Sequence, residues 1–215
     1  MPNINIDDDL FISACKNQNY SEIEKLLKKG CNRNISFGTR KCFTFPILLA
    51  SDLNDLYMMK LLVETNNENN KCDLEAFNTK SRHATPLVAS VIDDHYDIVE
   101  YLLSVGANCN SYDYSDNDFW ENWNGCCEPE NQPRKQTAIY HAGKNKNNKM
   151  VRLLLNNGAV YGYIGEYVKS DDMCDNPSYP KQETKEVWNF LCPILAEMSL
   201  DPVVPDKKEQ FMFVL

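Results

Sequence analysis

The side chains that could do chemistry fall into two groups. One is nine cysteines with three histidines; the other is a stretch where tryptophan and tyrosine are mixed with carboxylates. Cysteine and histidine can hold zinc, but structural sites draw their ligands in pairs separated by two to four residues. Cys126-Cys127 are adjacent, and Cys109, His83 and His141 supply no second pair at that spacing. None of His83, His95 and His141 stands beside a serine or cysteine in a nucleophile motif. The eight glycines are scattered, so no phosphate-cradling loop forms in the sequence. Asp93-Asp94 and Asp171-Asp172 read as turn carboxylates rather than an acid–base pair. These residues predict no catalysis, no cofactor and no metal centre.

The second group points to binding. Between Asn110 and Gln136 lie Tyr112, Tyr114, Phe119, Trp120 and Trp123 among Asp113, Asp116, Asp118, Glu121, Glu128 and Glu130, with no basic residue before Arg134. A solvated linker has no use for two tryptophans, because exposed aromatic surface calls for a cover. Two readings are open. The aromatics fold back over the hydrophobic edge that precedes them, or they form an acidic–aromatic arm for a basic partner, since Trp and Tyr anchor most interfaces.

Composition narrows the partner. The 22 Lys and Arg against 31 Asp and Glu give a net charge of −9, the wrong sign for a phosphate-neutralising nucleic-acid binder. The start, Met1 to Leu10, holds three aspartates and no Lys or Arg, the reverse of a signal peptide's basic opening. The strongest apolar run, Phe45 to Ala50, is too short to span a bilayer. An odd number of cysteines with no even framework predicts reduced thiols in cytoplasm or nucleus. Hydrophobic content of 43% excludes wholesale disorder. The chain also carries 25 asparagines, a residue that tolerates turns and left-handed backbone.

The elements that must position these residues repeat. Leu26-Leu27-Lys28-Lys29-Gly30, Leu102-Leu103-Ser104-Val105-Gly106-Ala107 and Leu154-Leu155-Asn156-Asn157-Gly158-Ala159 end three stretches alike. Counting back reaches starts at Asp9, Thr85 and Thr137, with small residues Ala14, Ser90 and Ala142 at one shared position. A fourth, degenerate copy starts at Phe45, with Ala50 in the small slot and Asn66 where glycine stands elsewhere. Each unit predicts a short helix, a tight turn and a longer amphipathic helix stopped by Gly or Asn. In one unit Thr85-Pro86 opens the first helix as N-cap and N1 proline.

Thr85-Pro86-Leu87 followed by Asp97 to Asn110 resembles the ankyrin repeat closely. The resemblance extends over residues 9–161, in units starting near 9, 45, 85 and 137. It implies an all-α solenoid of helix-turn-helix units with long finger loops. It also implies a monomeric, non-catalytic protein that binds another protein, and the net charge favours a partner of basic or mixed surface. The family's histidine three positions after the threonine is replaced by Ile12, Leu48, Val88 and Tyr140, which predicts less rigid loops.

Family units run about 33 residues; here the excess falls after each second helix, the largest being the insertion 110–136. By the same resemblance, groove positions are Lys16-Asn17, Asp52-Leu53, Ile92-Asp93 and Lys144-Asn145. Residues 162–215 form a C-terminal loop, a helix over Glu183 to Met198 bent at Pro193, and a tail. That helix is expected to cap the last unit. An alternative is a ubiquitin-ligase adaptor segment, faintly suggested by Trp188, Cys192 and Ala196. A PDZ-type ligand at Phe213-Val214-Leu215 is a weaker reading. The degenerate repeats and asparagine usage are similar in style to ankyrin proteins of large DNA viruses, protists and intracellular bacteria. That similarity implies a host-factor partner.

Overall fold

The computed structural model describes residues 6–39, 42–65, 70–77, 84–114, 135–161, 164 and 181–200. Among them, helix pairs stack side by side as an all-α solenoid: α1 (Ile6–Lys16) with α2 (Tyr20–Lys28), α3 (Pro46–Asp52) with α4 (Leu56–Glu64), α5 (Pro86–Ile92) with α6 (Tyr96–Ser104), and α7 (Ala138–Lys144) with α8 (Asn148–Asn156). The first helices form a row in which α1 meets α3, α3 meets α5 and α5 meets α7.

Each pair turns on one left-handed residue: Gln18, Asn54, Asp94 and Lys146 have φ of 52°, 52°, 62° and 55°. The next residue caps the second helix. Asn19, Asp55 and Asn147 accept from the N–H groups of Glu22, Met58 and Met150, each such cap contributing about 1 kcal/mol. His95 takes the same slot without capping, and its Nδ1 lies 2.9 Å from the carbonyl of Ser51 in the preceding unit.

The second helices α2, α6 and α8 stop at Gly30, Gly106 and Gly158, with φ of +91°, +94° and +84°. The following residues Cys31, Ala107 and Ala159 donate back to Leu26, Leu102 and Leu154, closing Schellman-type ends that a Cβ would strain. α4 ends differently. Its C-cap is Thr65 in extended backbone, φ −61° and ψ 113°, and Asn66 lies outside the described residues. The common pattern resumes at Cys72-Asp73, where Asp73 accepts from Glu75 N–H as Asn32 does from Asn34 and Asn108 from Asn110. The extra residues of this degenerate unit therefore precede its finger turn, and Cys72 matches Cys31 and Ala107.

Two fingers carry short antiparallel ladders that the helical reading did not include. β1 (Phe37–Thr39) pairs with β2 (Cys42–Thr44), and β3 (Tyr112–Tyr114) with β4 (Lys135–Thr137). Pairing satisfies backbone groups that a bare loop would leave to water. Each ladder delivers the chain to a first helix.

One continuous core runs through the units. The small slots Ala14, Ala50, Ser90 and Ala142 are buried, letting neighbouring helices approach. Leu48, Val88 and Tyr140 are buried as well, and Ile12 is half-buried. Apolar packing thus fills the slots where the family places a hydrogen-bonding imidazole.

The open end of the solenoid is covered by α9 (Lys181–Glu197), which buries Val187, Leu191, Ile194 and Leu195 against α7 and α8. Such a cap is what a stacked array requires. The approach is close because Gly143 has no side chain: a Cβ there would sit 2.8 Å from Val187 Cγ1. Lys144 Nζ pairs with Glu183 at 2.5 Å, and Arg152 pairs with Glu197. The helix runs through Pro193, which is exposed. Among the described residues no helix is long and apolar enough to cross a membrane.

Candidate partner-binding surface

The expected groove residues sit where the first helices end. Leu53, the C-cap of α3, is 44% exposed, and Asp52 beside it is exposed. On the neighbouring α5, Ile92 and its C-cap Asp93 are half-exposed. These four residues lie at the ends of two helices packed on each other. The fourth unit is different. Lys144 is held by Glu183 of α9, and Asn145 donates through Nδ2 to the carbonyls of Val91 and Ile92, both at 3.1 Å.

Of the finger residues, Tyr112 is half-buried at the base of the β3–β4 ladder opposite Thr137, and Tyr114 pairs with Lys135. Phe119, Trp120, Glu121 and Trp123 lie outside the described residues, as do Cys126-Cys127, His83, Asp171-Asp172 and the tail Phe213-Val214-Leu215.

A second set of residues, outside the expected binding positions, sets the finger spacing. Asn34 donates to Lys71 O at 2.7 Å and accepts from Asp73 N at 2.9 Å. Asn110 repeats this, donating to Gly158 O at 3.3 Å and accepting from Val160 N at 2.8 Å. Between them Glu75 accepts from Asn108 N at 2.8 Å and from Ser111 Oγ at 2.5 Å. The signal was available: Asn34 and Asn110 occupy the same offset after their stop glycines. Arg33 and Cys109 also share a slot, and both donate to the end of the next unit's second helix. Arg33 reaches Leu62 O at 2.7 Å and Thr65 O at 2.8 Å; Cys109 Sγ reaches Asn157 O at 3.0 Å.

Residues 10–113 match a family model described as ankyrin repeats, in three copies. Residues 10–113 are ankyrin repeats. The α7–α8 pair continues the ankyrin geometry past the matched region, with the same left-handed turn residue and the same glycine stop. Comparison with curated proteins finds no match. Ankyrin repeats generally serve as protein–protein interaction modules and are typically non-catalytic.

Burial sets the titration of several groups in the array. Burial, reinforced by the neighbouring Cys31, pushes the Cys15 thiol up to about 12. Burial likewise raises Cys31 to about 11 and Cys72 to about 12. Such thiols stay protonated at neutral pH and make poor nucleophiles. Burial first and the hydrogen bond to Glu64 second raise the Tyr101 phenol above its ordinary range. His141 is buried with its ring edge-on to Tyr140. Among the described residues no group of three or more His, Cys, Asp or Glu could hold a metal ion.

Proposed function

We propose that this ankyrin protein binds another protein along the ends of its first helices, with the β3–β4 finger and its acidic–aromatic insertion as a second arm. The observation that supports the reading is Leu53, a large aliphatic side chain left 44% exposed at the C-cap of α3. Asp52, Ile92 and Asp93 flank it on α3 and α5. The net charge of −9 favours a partner of basic or mixed surface and an association rate that falls with salt. Nine cysteines with no even framework suit a reducing cytoplasm or nucleus, and a host factor is the first class of partner to test.

The experiment is affinity capture from cells with the full chain and with Leu53→Asp, read by mass spectrometry. A stoichiometric partner retained by the parent and lost by the variant supports the reading. Cullin-ligase components in its place would assign the adaptor role to α9. Equal capture by both chains would overturn the groove.

A further inference from the structure

Three second helices stop at glycine, and the residue before each glycine differs: Lys29-Gly30, Val105-Gly106 and Asn157-Gly158. The third pairing carries a chemistry of its own. A glycine after asparagine puts no side chain in the way when its backbone nitrogen attacks the asparagine Cγ. The nitrogen gives its proton to water as the N–Cγ bond forms, and the Cγ–Nδ2 bond breaks to release ammonia. Water then opens the five-membered imide at either carbonyl, leaving aspartate or isoaspartate. One water is consumed and one ammonia released, with no oxidant or cofactor.

The folded array holds each participant out of reaction. Gly158 N, the nucleophile, donates to Leu155 O at 3.0 Å. Asn157 Nδ2, the leaving amide, donates to Leu153 O at 2.8 Å. Asn157 sits at φ −99° and ψ 14°, which turns the glycine nitrogen away from Cβ. Ring closure needs the two eclipsed, a rotation of roughly a third of a turn about the Cα–C bond. The preceding unit opposes that rotation. Cys109 Sγ donates to Asn157 O at 3.0 Å, Asn110 Nδ2 donates to Gly158 O at 3.3 Å, and Asn110 Oδ1 accepts from Val160 N at 2.8 Å. Asn157 and Gly158 are themselves exposed, so water is at hand once these bonds part.

We infer that Asn157-Gly158 is a modification site gated by the fold, silent while α8 is closed and self-converting when the fourth unit opens. The conversion then keeps that unit from closing. Isoaspartate reroutes the main chain through the side-chain carbons, so the spacing that Cys109 and Asn110 clamp is lost. Aspartate removes the donor to Leu153 O and adds negative charge at the C-terminus of α8, where the macrodipole is already negative. Repeats open as local units, and chemical change in the open state makes opening irreversible. The pair therefore records how long the end of the array has spent open.

The test incubates the full chain in neutral buffer, folded or in unfolding urea, and follows the tryptic peptide 153–169 by mass spectrometry. Fragment ions separate Asn157 from Asn156, and Asn124-Gly125, a second such pair in the chain, is the reference in the same digest. In urea both pairs should convert at comparable rates, and folding should slow Asn157 about tenfold or more. Asn110→Ala, which removes the clasp, should speed conversion in the folded chain severalfold, whereas Asn34→Ala at a remote junction should not. Circular dichroism confirms that both variants fold. Refolded chain carrying the converted residue should exchange its 153–160 amides about tenfold faster than refolded unconverted chain. Equal rates folded and in urea, equal acceleration by Asn34→Ala, or no conversion in urea while Asn124 reacts would overturn the gated site. Unchanged amide exchange after conversion would overturn the locking.

Discussion

The guanidinium of Arg33 reaches out of the first unit and donates to two carbonyls of the second, Leu62 O at 2.7 Å and Thr65 O at 2.8 Å. α4 is the second helix of the array that ends in extended backbone rather than at a left-handed glycine. Its last carbonyls would be orphaned, and the neighbouring unit satisfies them with an arginine that is 2% exposed. Asn70 fastens the same stretch by donating to Cys31 O at 2.7 Å.

Replacing Arg33 with Ala should therefore destabilise the array by about 2–4 kcal/mol, because one buried and one part-buried acceptor lose their donors along with the packing. Lysine recovers only part, since one ammonium cannot reproduce a two-pronged fork. Urea denaturation measures the loss. Hydrogen exchange should speed up first around residues 62–72.

Gly143→Ala should loosen the cap. The new Cβ would meet Val187 Cγ1 at 2.8 Å, and overpacking of this kind costs about 1–3 kcal/mol. Combining it with Val187→Ala should return part of the stability, which a double-mutant cycle resolves. If Gly143→Ala alone is neutral, α9 is not seated on α7 as described.

Asn34→Ala and Asn110→Ala should each cost about 1–2 kcal/mol, because each removes a donor and an acceptor bridging neighbouring fingers. The two junctions share no residue, so the double variant should show the sum within about 0.5 kcal/mol.

Alkaline pH should unfold the array through its thiols. Cys15 is fully buried and its pKa rises from 9.0 to about 12. The folded state therefore keeps a proton that the unfolded chain releases. The stabilisation is intact below pH 9 and is lost between 9 and 12, at about 1.4 kcal/mol per pH unit for one thiol. Denaturation midpoints at pH 8 and pH 10 should differ, and less so in Cys15→Ala.

Local patterns were legible in the sequence and distant ones were not. The glycine stops, the Thr85-Pro86 opening and the small slots of the first helices are signals within one unit, and the structure places each as read. Asn66 was read in the glycine slot and lies outside the described residues. The C-cap before it, Thr65, is at the offset of Lys29 but in extended backbone, and its carbonyl finds a donor 32 residues away in Arg33. The ladders β1–β2 and β3–β4 were missed because three-residue strands carry too little periodicity. Gly143 looked like one scattered glycine among eight, since its role depends on Val187 across a helix interface. The groove residues were placed by resemblance, and no local signal distinguished Lys144 and Asn145, held in place by α9 and α5, from Leu53.

The β3–β4 ladder sets Tyr114 directly opposite Lys135, so the intervening chain leaves and re-enters the array at a single point. The entropy of closing such a loop grows only slowly with length, by about 0.6 kcal/mol per doubling. Lengthening or shortening the connection between these strands should therefore cost the ladder little, with Thr137 and the helix that follows it kept in register. The third finger offers a socket in this sense: a fixed two-stranded base on which a different recognition loop can be set by design.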